Sequence, residues 1–457
     1  MTKSKFPVPK VLFGMFAIII LFVVITLFIN LSIFDEELSP EVVELIEPIK
    51  MPPNQENAYY AIWGMSAASS KKDIVNIGLQ LINRYQENRD ENDLDEITSS
   101  DYIEILGGEG IDDSWVDNYD NCRARTEYGC STKLRAQIDD LPVQDQRLKL
   151  MLERYEQIIE MKKYQSIDHV TFASPLPSYG VLMRLSQIKL ANTFNDKDKL
   201  RFFEIVSRDI TFWKRMLEQG NSLIDKMVAV ASIWRDIQTV SEFLKVNDEL
   251  PPMSDRLLTK TLEPLTDGQL DISESFIFEL RAFKNTISTI DIDDLVSFYG
   301  ITTTPMHWLI QPNASVNDYN QYFTQPVIEL SKLPARTFYK TINNLEEGDI
   351  ECCFKDVDGL VGFSPASLYN IGGKLLLPAM KVEAQDYVAR VHDLNGMISL
   401  VKLQLDLKRL ADTSVQSSIK ESQHTNPYTG KPMDYDPKNN WLSFECLDES
   451  SKCRIKL

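Results

Sequence analysis

The chain is poor in the residues that carry most site chemistry. It has four histidines and six cysteines in 457 residues, and no Cys-x-x-Cys. No histidine stands at ligand spacing from a cysteine, which disfavours a zinc site, and no metal or other cofactor is expected. Basic charge is also scarce: 48 Lys and Arg face 67 Asp and Glu, a formal net charge of −19. Nucleic-acid binding needs a basic surface to displace phosphate counterions, so that class is excluded, as is adhesion to anionic lipid. The acidic stretch 88–96 (NRDENDLDE) lacks the glycine of an EF-hand calcium loop.

What the chain does have is an apolar N-terminus. Val11 to Phe34 carries no charge and lies between Lys3, Lys5, Lys10 and Asp35, Glu36, Glu37. As a helix it would run roughly 36 Å, enough to cross a ~30 Å hydrocarbon core. It exceeds the ~7–15 residues of a signal-peptide core and offers no small-x-small cleavage site. No cysteine stands near it for lipid attachment. The pattern predicts an uncleaved signal anchor with its lysine end cytoplasmic and the remainder outside, in the periplasm of a Gram-negative bacterium. Outside the cytoplasm an even cysteine count reads as disulfides. Cys122–Cys130 and Cys446–Cys453 are natural local closures, while the adjacent Cys352 and Cys353 leave their state open.

Helical periodicity dominates the rest, and the fold class is mainly α. Residues 1–10 form a cytoplasmic tail, 11–34 the anchor and 35–55 a stalk with a helix start at Ser39-Pro40-Glu41. Residues 56–250 form a helical array, and 251–457 a second helical region beyond the Pro251-Pro252 break. Helices are expected near 178–194, 197–219 and 221–247, with Gly220 as a helix stop. Short turns between them suggest irregular, tetratricopeptide-like α-hairpins, without a clean repeat. A helix near 317–333 is interrupted by Pro326, and the longest helix covers 381–415. WLSFEC (441–446) and CRIKL (453–457) alternate as a two-stranded β-hairpin closed by its disulfide.

No catalytic motif stands out. Ser69-Lys72 and Ser417-Lys420 have the SxxK spacing of penicillin-recognising enzymes, without the companion motifs in order. His392-Asp393 cannot be a base and its orienter, because adjacent helical residues point in different directions. Tyr387, Arg390, His392 and Asp393 instead suit buried contacts between helices. NPYTGKPM (426–433) reads as a turn, with Gly430 at positive φ. Tyr387, Arg390, His392, Tyr428 and Lys431 are the candidate binding residues.

The order of NAYYAIWGM, LERYEQI, FWKRMLEQGNSLIDKMVAV, RVHDLNGMISLVKLQLDL and NPYTGKPM resembles an uncharacterised family of proteobacterial inner-membrane proteins. Such proteins have one N-terminal anchor and a helical periplasmic domain. The resemblance implies an envelope location and no reaction. The expected function is a non-enzymatic scaffold that contacts the lipid bilayer through its helix and another envelope protein through its body. The alternatives are an envelope-polymer hydrolase with an unidentified carboxylate site, or an assembly chaperone for a secreted protein.

Overall fold

The computed structural model describes residues 8–47, 56–90, 104–107, 122–137, 146–167, 175–194, 198–247, 250–289, 309–346, 365–379, 384–410 and 414–457. Cys352, Cys353, His169, His307 and most of the acidic stretch 88–96 lie outside them. The described chain is mainly helical. It begins with α1 (Val8–Ile29), α2 (Pro40–Leu45), α3 (Ala58–Gly64), α4 (Ile74–Asp90), α5 (Cys130–Ala136) and α6 (Gln146–Glu160). Then come α7 (Tyr179–Phe194), α8 (Lys199–Gln219), α9 (Leu223–Val246), α10 (Pro252–Thr261), α11 (Asp267–Leu270) and α12 (Ser273–Thr289). The remainder comprises α13 (Pro312–Tyr319), α14 (Gln325–Ser331), α15 (Ala335–Glu346), α16 (Pro365–Leu368), α17 (Ile371–Ala379), α18 (Ala384–Arg409) and α19 (Val415–Glu421). Strands β1 (Asp434–Asp436), β2 (Trp441–Ser443) and β3 (Arg454–Lys456) close the chain.

Helix α9 is the axis of the body. Its hydrophobic residues alone do not predict this, because Ser232, Arg235, Asp236, Gln238, Thr239, Ser241 and Glu242 are buried alongside them. It packs on α5, α7, α8, α12, α18 and β3. In a repeat array each hairpin touches only its neighbours. Here one helix collects partners from distant parts of the sequence, so the packing is a bundle around α9. The main hydrophobic core draws residues from Ala58 to Ile455, on both sides of Pro251-Pro252.

Helices α3 and α4 cross at their glycines. A Cβ on Gly64 would collide with the Ile74 carbonyl, and one on Gly78 with the Tyr60 carbonyl. Gly220 ends α8 as expected, but at φ −70. Its need for glycine is space, since a Cβ would meet Asp225 and the Met216 carbonyl. Pro326 does not interrupt its helix. The backbone widens into a π-turn at Asn320–Thr324 and continues as α14. That wider turn accommodates a residue with no N–H and a bulky ring. The longest helix ends at Arg409 rather than at 415.

The C-terminal sheet has three antiparallel strands in the order β1-β2-β3, one more than the pattern predicted. Asp434-Tyr435-Asp436 is too polar and short to signal a strand, yet Tyr435 pairs with Leu442. Leu442 also pairs with Ile455, and both are fully buried. The Phe444 ring rests on Gly396 of α18, where any Cβ would strike it. The Gln404 amide bonds the carbonyls of Ser241 and Lys456, tying α9 and α18 to β3. Disulfides join Cys122 to Cys130 and Cys446 to Cys453, with Cα separations of 5.4 and 5.5 Å.

The apolar helix differs from its expected bounds. Its Leu12–Ile29 window has a mean hydropathy of 3.1, and it is long and apolar enough to cross a membrane. It stops at Ile29, five residues before Phe34. Asn30 turns the chain: its side-chain amide donates to Thr26 O at 2.8 Å and to Leu368 O at 2.7 Å. Its side-chain oxygen accepts Asn370 N at 2.7 Å, and its carbonyl accepts Gln311 Nε2 at 2.5 Å. Asp35 then caps α13 by accepting the Asn313 and Ala314 amides. The described part of the expected stalk is therefore docked. Val42 is fully buried in a second, smaller core with Leu280, Phe283, Val316, Tyr319 and Leu376.

Candidate functional site: an arginine pocket beside a buried carboxyl pair

A pocket opens between α5, α7 and α9, with about 340 Å³ of empty space including solvent at its mouth. The Cys122–Cys130 disulfide, Ser131, Arg184, Gln187, Arg235 and Thr239 form much of its wall. Arg235 and Thr239 are one helical turn apart, which places both on the α9 face that meets α5 and α7. The Ser131 and Thr239 hydroxyls are 2.5 Å apart, and Arg184 donates to Gln187 at 2.6 Å. As whole residues Arg184 and Arg235 are 6% and 5% exposed.

Behind Arg235 lie two acids. Arg235 Nε and Nη2 donate to Asp236 at 3.2 and 3.1 Å, and Nη2 also reaches Ser186 Oγ at 2.7 Å. Ser186 donates to Asp209 at 2.5 Å. Burial and the neighbouring Asp236 charge push the Asp209 carboxyl well above its ordinary value. Burial pushes Asp236 up to about 6, against the opposing pull of Arg235. Of the two, Asp209 is the acid pushed furthest toward its protonated form, while Arg235 balances charge on Asp236. Two neighbouring buried acids resemble a hydrolytic pair in composition. These two are 1% and 0% exposed and form no wall of the pocket, so the pocket gives a substrate no access to them. The face offered to a ligand is cationic and hydroxylated.

The sequence candidates gather elsewhere, and only in part. Arg390 lies over the Tyr387 ring at 4.7 Å and donates to Asp448 at 3.3 Å; Arg125 donates to the same carboxylate at 3.1 Å. Tyr428 donates to Asp393 at 2.5 Å, and Asp393 also accepts the Leu447 and Asp448 amides. This network fastens the disulfide-closed loop to α18. Burial pushes Asp393 up to about 6, with Tyr428 and the two amides pulling the other way. His392 is not part of it. It packs near the Phe338 ring, its Nε2 has no hydrogen-bond partner among the described residues, and burial lowers its pKa to about 4. Lys431 is exposed, and Gly430 has the positive φ its turn requires.

Asp393, Cys446 and Cys453 come within 4.8 Å of one another, but the two sulfurs are bonded to each other and supply no thiolate ligand. Ser69, Lys72, Ser417 and Lys420 are solvent-exposed. Sequence reasoning missed Asp209, Arg235 and Asp236. The signal was an Arg-Asp pair inside the otherwise apolar stretch of α9, where unpaired charge is not tolerated. The chain matches no family model, no curated protein and no solved structure.

Proposed function

We propose that this chain is a single-pass, membrane-anchored scaffold or protein-binding protein of the bacterial envelope, non-enzymatic, with its body in the periplasm. The observation that carries the reading is the Asn30 cluster. Cleavage of α1 as a signal peptide at any bond beyond Asn30 would remove a residue that satisfies Leu368 O, Asn370 N and Gln311 Nε2 inside the folded body. Buried polar groups stripped of partners are costly, which favours a retained helix. Lys3, Lys5 and Lys10 ahead of the helix favour a cytoplasmic N-terminus. The disulfides suit an oxidising compartment. The tetratricopeptide-like surface survives only as local hairpins such as α8–α9, so partner binding rests on the body's faces rather than on a repeat groove.

The test has two readings. A periplasm-only reporter enzyme fused after Leu457 should be active, and the full chain should resist carbonate extraction from membranes. Crosslinking in intact cells should then recover one reproducible envelope partner. A stable but inactive fusion overturns the topology, and release by carbonate overturns the anchor. The hydrolase reading keeps one favouring observation, the neighbouring buried acids Asp209 and Asp236. Its lack of access ranks it second.

A further inference from the structure

We infer that the base of the body is a seat on the bilayer, where Tyr369 and its neighbours contact the lipid interface although they lie far from α1 in sequence. The inference rests on the anchor reading and adds to it a fixed contact in place of a tether. Three observations carry it. First, the chain folds back at the helix end. The Phe34 ring lies 5.2 Å from the Phe28 ring, so the turn after Ile29 returns to the level of the last helical turn. Second, the body is pinned at that level. Asn30, only 2% exposed, is bonded to Gln311, Leu368 and Asn370. Tyr369 donates to Phe34 O at 3.0 Å and accepts the Glu36 amide at 3.2 Å. Third, three apolar side chains stay uncovered in this turn around the exposed Ser32: Leu31, Ile33 and Phe34 are 46%, 77% and 43% exposed.

Continuity with the membrane helix identifies the occupant. Apolar side chains at the exit of a span, with a tyrosine whose hydroxyl is bonded and whose ring is half-exposed, suit the headgroup–acyl boundary. Asp35, Glu36 and Glu37 follow directly, so the lipid surface that fits is zwitterionic rather than anionic. Asn30, Asp35 and Glu36 at the exit make side-chain hydrogen bonds within the protein, which lets the turn lie in a partly dehydrated layer. Seating also gives the arginine pocket a set height and bearing above the membrane.

The experiment uses the full chain in dioleoylphosphatidylcholine vesicles, with or without acyl chains brominated near the headgroup end. Single added tryptophans at Ile33→Trp, Tyr369→Trp and Val246→Trp are read against the unsubstituted protein. Bromolipid should remove most of the added emission at 33 and 369 and none at 246. Quenching at 33 without 369, in protein that resists carbonate, means a tethered body and overturns the seat. Protein released by carbonate overturns the anchor itself. Since Tyr369→Trp removes a hydroxyl, Leu368→Trp provides the same readout with the hydroxyl kept. Adding Asn30→Leu to it should release the body and diminish the quenching while carbonate resistance persists. Unchanged quenching in that variant would show that Asn30 does not hold the seat.

Discussion

Two buried acid sites on one helical hairpin solve the same problem differently. Asp225 heads α9 and accepts Tyr164 Oη at 2.9 Å, Ser166 Oγ at 2.6 Å, Ser222 N at 3.1 Å and the Tyr179 hydroxyl. No cation is among those partners. Asp236 lies about three turns further along the same helix and depends on Arg235, while burial and the Asp236 charge push Asp209 beside it toward its protonated form. The difference follows from position along the helix. At a helix start, backbone amides are free and loop hydroxyls can converge, so donors alone can surround a carboxylate. In mid-helix every amide is already bonded to a carbonyl, and only side chains remain. A buried acid there requires a cation or a proton.

The strongest way to break this comparison is to remove the mid-helix anion. Asp236→Leu leaves Arg235 charged in the core, with Ser186 Oγ and Met183 O as its remaining hydrogen-bond acceptors. A loss of about 3–5 kcal/mol is expected, read by thermal or urea unfolding in detergent. Adding Arg235→Met should recover most of it. A loss below about 1 kcal/mol would mean that solvent reaches Arg235 through the pocket, contrary to its burial. A smaller effect is expected at the other site. Asp225→Asn keeps one acceptor oxygen and turns the other into an amide facing donors, a loss of about 2–3 kcal/mol. Because no cation is stranded, no second-site cation removal should rescue it. Rescue by Lys226→Met would show that the nearby ammonium, rather than the hydroxyls, holds the carboxylate.

These sites also mark where the sequence is legible. Helices α7, α8 and α9 fall within two residues of their expected bounds, because amphipathic spacing and the Gly220 stop are local signals. Both local disulfides were readable from spacing and compartment. Asp209 and Asp236 were not, since 27 residues of helix and turn separate them and nothing local says that α8 and α9 turn those faces together. The Asn30 cluster was opaque for the same reason, as its partners lie 281 to 340 residues away. Tyr428 was readable as part of a turn, but its bond to Asp393 depends on where α18 docks the hairpin.

The subtlest test asks whether Asp209 carries the proton. A carboxyl whose folded pKa is raised binds more protons folded than unfolded, so it favours folding below its ordinary unfolded value and loses that contribution as pH rises through the folded value. Asp236 does this through about 6, and Asp209, also raised, acts in the same direction. Asp393, raised to about 6, and Glu279, raised to about 7, act in the same direction, so only the difference between variant and parent isolates the pair. Asp209→Asn retains a donor toward Asp236 and removes the titration. At about pH 5 its stability should lie within about 1 kcal/mol of the parent, as expected when one neutral hydrogen-bond donor replaces another. Toward about pH 8 the parent should lose stability faster, and the variant should match or exceed it. A variant whose unfolding free energy runs parallel to the parent's over that range would place the proton elsewhere. Asp209 would then be an anion resting on Ser186, and the rule that mid-helix acids need a cation or a proton would not hold in this hairpin.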